Sequence, residues 1–262
     1  MQASASLERR LRRLRTNQNW LRVKALFLPN VAVISHYRSG FQWFRQICHA
    51  NLYRHVVMPP QARYQHYGVE RLPPHPRLDR NALLLVRDGR DVMVSLYMSS
   101  TRDAEGGLRK WEGSGELISF HDFLRTEFMR VRNYRGEVLR LRNPVDYWAR
   151  FNNDWLANPN VVRVVRYEDL LVDQAHEIRE VRRALGYAPD ERPVQLVDVD
   201  FDKHSPVGAN LLAGYQRQTT GNWRRVFTAE DVDYFEQIGG SALRALGYEP
   251  ATASGAAPAA ST

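Results

Sequence analysis

The chain has 262 residues and 44% hydrophobic content, enough for one substantial core and the size of a single α/β domain. Lysine and arginine number 37 against 29 aspartate and glutamate; the formal charge of +8 favours acidic partners, such as nucleotides, sulfated or phosphorylated molecules, nucleic acid or anionic membrane. A single cysteine, Cys48, excludes an intrachain disulfide, and no run of eighteen apolar residues is present to span a membrane. The opening MQASASLERRLRRLR lacks the apolar stretch of a secretory signal. A lone cysteine suits a reducing compartment, so a cytoplasmic location is the expectation.

In chain order, the first element is basic. Leu7, Leu11, Leu14 and Leu21 recur at helical spacing, with Arg9, Arg10, Arg12, Arg13 and Arg15 between them. This predicts an N-terminal helical extension over 1–28. A charge run of this kind is ordinarily a solvated face. A helix lying on an anionic membrane through residues 1–25 is the other reading. The stretch NVAVIS predicts a strand, and FQWFRQICHANL a helix that makes Cys48 a small core residue. ALLLV (82–86) is a buried strand, followed by RDGRD and the helix VMVSLYMSS. ISFHDFLRTEFMRV and PVDYWARFNNDWLA are each amphipathic and helical, and VVRVVRY (161–167) is a strand. EDLLVDQAHEIREVRRALG reads as one helix ending at Gly186. TAEDVDYFEQIGGSALRALGY closes the domain, with Thr228 as N-cap and acidic residues in the first turn. The domain is expected over 29–249. The tail, 250–262, ends in ATASGAAPAAST, which is small, polar and interrupted by proline, and reads as disordered.

Alternating strands and helices predict an α/β fold, a three-layer sandwich with a central parallel sheet. Ligands of such sheets bind beyond the carboxyl ends of the strands. The three strands found end in SHYRSG, RDGRD and YED, so chemistry is expected there. In the first turn, amides at a helix N-terminus favour an anion, Arg38 adds a positive charge, Ser39 a hydroxyl, and Gly40 permits close backbone approach. In the second, Asp88 and Asp91 have the spacing of a helix cap. Arg87 is the first polar residue after its strand, and Ser95 lies two turns into the next helix, leaving room for a second anion between them. The bland alternative pairs Arg87 with a cap carboxylate.

Residues SHYRSGFQWF followed by LVRDGRDVMVSLY resemble the paired phosphosulfate-binding segments of the sulfotransferases that use 3′-phosphoadenosine-5′-phosphosulfate (PAPS). VVRYEDLLVD, VDFDKH and YQRQTTGNWRRVFT are similar to three later segments of that family, in the same order, so the likeness covers roughly 30 to 248. The resemblance implies a P-loop nucleotide-binding-like fold. It places the 5′-phosphosulfate on Arg38, Ser39, Gly40, Phe41, Gln42 and Trp43, and the 3′-phosphate on Arg87 and Ser95. Trp43 and Phe201 become the aromatic candidates for adenine and Tyr167 the polar one. Arg217 and Gln218 belong to the segment that closes over the 3′-phosphate. The sequence departs from the family at Tyr37, where proline is usual, and at Phe41 and Gln42, which replace small hydroxyl residues. Gln216, Arg217 and Gln218 stand in place of Arg, Lys and Gly, so Arg217 is the cation expected there.

The implied reaction moves a sulfuryl group to a hydroxyl or amine by in-line attack, with catalysis by positioning and charge stabilisation. An arginine does not give up its proton near neutral pH, so Arg38 is expected to act as an electrostatic clamp. The family places a general-base histidine shortly before the VRD strand; His66, twenty-one residues before Arg87, stands there. His75, flanked by prolines, is its competitor. His49, His55, His66 and His75 have no zinc-type spacing, and the scheme needs no metal. The expected product is adenosine 3′,5′-bisphosphate (PAP). The acceptor is a small molecule, a glycan or a lipid-linked compound, with residues 98–118 and 203–215 as pocket loops. Two other readings stand beside this one. A P-loop nucleotide kinase lacks here the Gly-Lys-Ser/Thr that would hold Mg²⁺. A non-enzymatic anion- or nucleic-acid-binding protein draws its support from the charge. The segment RRVFTAEDVD faintly resembles the family's dimerisation motif and leaves the oligomeric state open.

Overall fold

A computed structural model describes residues 31–52, 56–57, 81–100, 118–133, 135–187, 192–198 and 220–251. Four parallel strands form the central sheet: β1 (Val31–Ser35), β2 (Val56–Val57), β3 (Ala82–Val86) and β6 (Val161–Arg166), in the order β2-β1-β3-β6. Helix α1 (Phe41–Asn51) follows β1, and α2 (Gly89–Ser100) follows β3. Then come α3 (Phe120–Arg125), a hairpin of β4 (Met129–Arg132) and β5 (Val138–Arg142), and α4 (Pro144–Leu156). After β6 the chain forms α5 (Tyr167–Val172), α6 (Gln174–Ala184), a 3₁₀ turn (Asn222–Arg225) and α7 (Ala229–Ala245).

The two central strands, β1 and β3, are covered on both faces, which is why they read as unbroken apolar runs. Side chains alternate along a strand. On one face Ala32, Ile34, Ala82, Leu84 and Val86 pack with Val92 and Met93 of α2, Phe123, Trp148 of α4 and Phe235 of α7. On the other, Val31, Val33, Leu83 and Leu85 pack with Phe44 and Ile47 of α1, Leu170 of α5 and Ile178 of α6. This is the three-layer arrangement expected. Cys48 is buried in the second cluster, and burial pushes its thiol well up, so it is an inert core residue. Among the described residues no helix is long and apolar enough to cross a membrane.

Two elements differ from expectation. ISFHDFLRTEFMRV is helical only over Phe120–Arg125; its end is β4, which pairs antiparallel with β5 through Met129↔Arg142 and Arg130↔Leu141. The predicted helix from Glu168 to Gly186 is two helices, because Asp173 leaves helical geometry and its side chain accepts from His176 N–H, capping α6. Gly186, at φ 75°, ends α6 as expected. Thr228 caps α7 with Asp231 reciprocating in a capping box.

Strand order positions the site. From β1 the chain crosses by α1 to β2 on one side; β3 then lies on the other side of β1. Helices α1 and α2 thus leave neighbouring strand ends for opposite faces, opening a crevice between β1 and β3.

Candidate active site

The turn after β1 is built around two left-handed residues. Arg38 has φ 65° and Gly40 φ 89°, and Ser39 N–H donates to His36 O at 3.4 Å. A non-glycine residue in this region costs about 1–2 kcal/mol, so Arg38 is held against its own preference. Gly40 is the N-cap residue of α1, and a Cβ there would stand 2.5 Å from Cδ2 of Tyr167. No side chain caps α1 and its first turn holds no acidic residue, so its N-terminal dipole faces the turn without a built-in counter-charge. Ser39 is 1% exposed, and its hydroxyl has no hydrogen-bond partner. A buried hydroxyl left this way costs about 1–3 kcal/mol unless a ligand engages it.

The second strand end meets the first. Arg38 Nε donates to Ser95 Oγ at 3.1 Å, and Arg87 Nη1 donates to Arg38 O at 3.2 Å. The Arg87 guanidinium lies over the Tyr167 ring, 4.6 Å from its centroid. Tyr167, the first residue after β6, also stands edge-on to Trp43 at 5.7 Å. Trp43 donates its indole N–H to Val197 O at 2.8 Å. Arg38, Ser39, Gly40, Trp43, Arg87, Ser95 and Tyr167 are therefore one group, drawn from all three strand ends. The Phe41 side chain is buried in the core, and that of Gln42 is exposed beside Arg45. Two arginines meeting at one turn, one guanidinium on the Ser95 hydroxyl and the other on the turn's backbone, suit an anion of more than one charge.

Asp88 and Asp91 have different tasks. The Asp88 carboxylate accepts from Arg90 N–H at 2.9 Å and pairs with its guanidinium at 2.8 Å. Asp91 reaches the far end of the sequence instead, accepting from Gly221 N–H at 2.6 Å and Trp223 N–H at 3.0 Å. It ties the segment following Arg217 and Gln218 to the helix that carries Ser95. Burial raises its pKa, opposed by the Arg87 charge. Glu168 does similar work at β6: it accepts from Asp88 N–H at 3.1 Å and from the Tyr248 hydroxyl at 2.7 Å. Burial raises its pKa as well. The tie between Asp91 and Gly221 and that between Glu168 and Tyr248 were not legible in the sequence. Nor was the setting of His36, which is 1% exposed with its ring 5.4 Å from that of Tyr147 and 5.5 Å from that of Phe151.

His66, His75, Phe201, Arg217 and Gln218 lie outside the described residues, as do residues 1–28 and most of the two proposed pocket loops.

The family model of the sulfotransferase domain matches residues 50–247, which include Arg87, Ser95 and Tyr167 but begin after the Arg38 turn. No curated protein sequence matches the chain. A crystal structure of mouse sulfotransferase SULT7A1 complexed with PAP is similar at 15% identity and a TM-score of 0.49, over 82% of this chain and 84% of that one. With the family model spanning most of its length, the chain belongs to the sulfotransferase domain family, enzymes that move a sulfuryl group from PAPS to an acceptor.

Proposed function

We propose that the crevice between β1 and β3 holds PAPS with its 5′-phosphosulfate on the Arg38–Trp43 turn and its 3′-phosphate between Arg87 and Ser95. The observation that carries this is the meeting of Arg38, Ser95 and Arg87 above an unpartnered Ser39 hydroxyl. The residues fit the group: the turn offers helix-terminal amides and a buried hydroxyl, and its left-handed glycine lets the Tyr167 ring pack directly on the backbone beside them. Phe41 and Gln42 contribute through their backbone. Trp43 and Tyr167, with Phe201, form the adenine contacts, and Arg217 and Gln218 close over the 3′-phosphate.

The donor supplies an activated sulfuryl group; the chain supplies positioning and charge. Arg38 remains protonated and stabilises the negative charge that develops on the leaving phosphate. His66 removes the acceptor's proton as the acceptor oxygen or nitrogen bonds to sulfur and the bond from sulfur to the bridging oxygen breaks. The protein thus gives PAP and a sulfated small molecule, glycan or lipid-linked acceptor. It acts through a domain over 29–249, flanked by a basic extension and a short tail, in the cytoplasm or at a membrane surface.

PAP is expected to bind without metal and to bind more weakly as salt rises, since charge-assisted contacts dominate. Calorimetry in EDTA measures this; no heat from folded protein removes the donor site. ATP–Mg²⁺ binding more tightly than PAP turns the assignment to a kinase.

Arg87→Ala is expected to lower PAP affinity by about 2–3 kcal/mol, roughly 30- to 150-fold, the scale of a lost charged hydrogen-bond partner. The variant should also lose its preference for PAP over AMP, which lacks the 3′-phosphate. Full discrimination retained in the variant assigns the 3′-phosphate to another residue.

A further inference from the structure

Three of the large hydrophobic side chains most exposed among the described residues stand within four positions of one another on the β4–β5 hairpin. Val138, Leu139 and Leu141 are 46%, 54% and 46% exposed. Pairing sets how they face: Arg130 lies opposite Leu141, and Arg132 opposite Val138, so these four share one side of the hairpin. Val131, on the other side, is buried, and Met129 packs against the core. Leu139 is the extra residue where the register shifts between Val131 and Arg132.

The same short stretch is strongly basic. Residues 129–142 carry five arginines (130, 132, 135, 140 and 142) against one acidic residue, Glu137, a net +4. Arg142 is turned inward to Asp146. Arg130, on the side of Leu141, and Arg135 in the turn are exposed; Arg140 is exposed as well but pairs with Val131 on the other side. The hairpin also stands at the site's end of the sheet. Its last residue leads through Asn143 into α4, whose Tyr147 ring lies 5.4 Å from that of His36 and 6.5 Å from that of Tyr37 in the turn after β1.

We propose that this side of the hairpin docks on an anionic bilayer, with Val138, Leu139 and Leu141 entering the boundary between headgroups and acyl chains and the arginines meeting lipid phosphates. The two chemistries together select this partner. A soluble polyanion matches the arginines but leaves three aliphatic side chains in water. A second copy of this chain sets the arginines of one face against those of the other. An anionic bilayer supplies both an apolar sink and negative charge. If the donor site lies where proposed above, the docked hairpin brings that site close to the membrane and so to an acceptor carried in it.

Sedimentation of the full chain with phosphatidylserine–phosphatidylcholine vesicles tests the docking, with pure phosphatidylcholine vesicles and heparin as further arms. The wild-type protein should pellet with the anionic vesicles only and be released by high salt. Leu139→Glu/Leu141→Glu and, separately, Arg130→Gln/Arg135→Gln should each lower the partition coefficient about tenfold or more. Both variants should bind PAP like the wild type, which also reports their folding. A wild-type protein that stays in solution overturns the proposal, as does a leucine variant that pellets unchanged. Heparin binding that accounts for the arginine effect while the leucines matter for neither ligand assigns the hairpin to a soluble polyanion. Wild-type protein that binds PAP but no vesicles defeats the docking alone; pelleting without PAP binding defeats the donor site alone.

Discussion

Gly40→Ala is expected to destabilise the protein by roughly 3 kcal/mol, from about 1–2 kcal/mol of left-handed strain and about 1–3 kcal/mol of overpacking. The first cost arises from φ 89°, the second from Tyr167, whose Cδ2 and Cε2 would lie 2.5 and 2.7 Å from the new methyl group. Those atoms belong to a ring that is 2% exposed and stands against Trp43 and Arg87, so it has little room to retreat. If the ring moves, the crevice deforms, and PAP affinity should fall with stability. Gly136→Ala separates the two costs: its φ is 87°, but nothing lies within 4 Å of the added Cβ. That variant should lose only the strain, about 1–2 kcal/mol, with donor binding intact. Thermal unfolding of both variants, with and without PAP, measures the difference. Equal shifts would show that the approach of Tyr167 to Gly40 does not constrain the turn.

Turnover of the His66→Ala protein is expected to fall on the order of 10²–10⁴-fold, the usual contribution of a positioned general base. Donor affinity should stay nearly unchanged, because His66 is assigned to the acceptor's proton and not to either phosphate. The loss should therefore appear in kcat and in kcat/KM, with little change in PAP binding measured directly. His75→Ala is the control, and its turnover should remain near that of the wild type. Small and equal losses from the two variants would remove His66 as the base. In that event the acceptor's proton goes elsewhere, and His36, buried beside Arg38, is the next histidine to replace.

The parts of the fold most legible in the sequence are those whose pattern is local. β1 and β3 stand out because strands covered on both faces need apolar residues in succession, and ALLLV is the clearest case; β6, at the sheet's edge, shows instead through its valines. Helices α4 and α7 carry their own caps, Asn143 with Pro144 and Thr228 with Asp231. The hairpin was hidden because MRVR and VLRLR mix arginine with methionine or leucine, all good helix formers, and bury little on their outer side. Helical periodicity likewise ran through Asp173 undisturbed, since a cap inside a polar stretch leaves the apolar spacing on either side intact.

The site divides along the same line. By itself the sequence determined the parts: a cationic turn with glycine after one strand, an arginine and a serine after the next, and a tyrosine after the last. Their resemblance in order to one enzyme family set the chemistry, which the family match over 50–247 bears out. Only the tertiary structure decided that the parts meet. Arg38 touches Ser95 across 57 positions because β1 and β3 are neighbours in the sheet, and Asp91 reaches Gly221 across 130 because the C-terminal segment returns to α2. Both contacts depend on strand order and chain return. These are settled by packing of the whole core, and no pattern confined to a few turns of helix or strand encodes them.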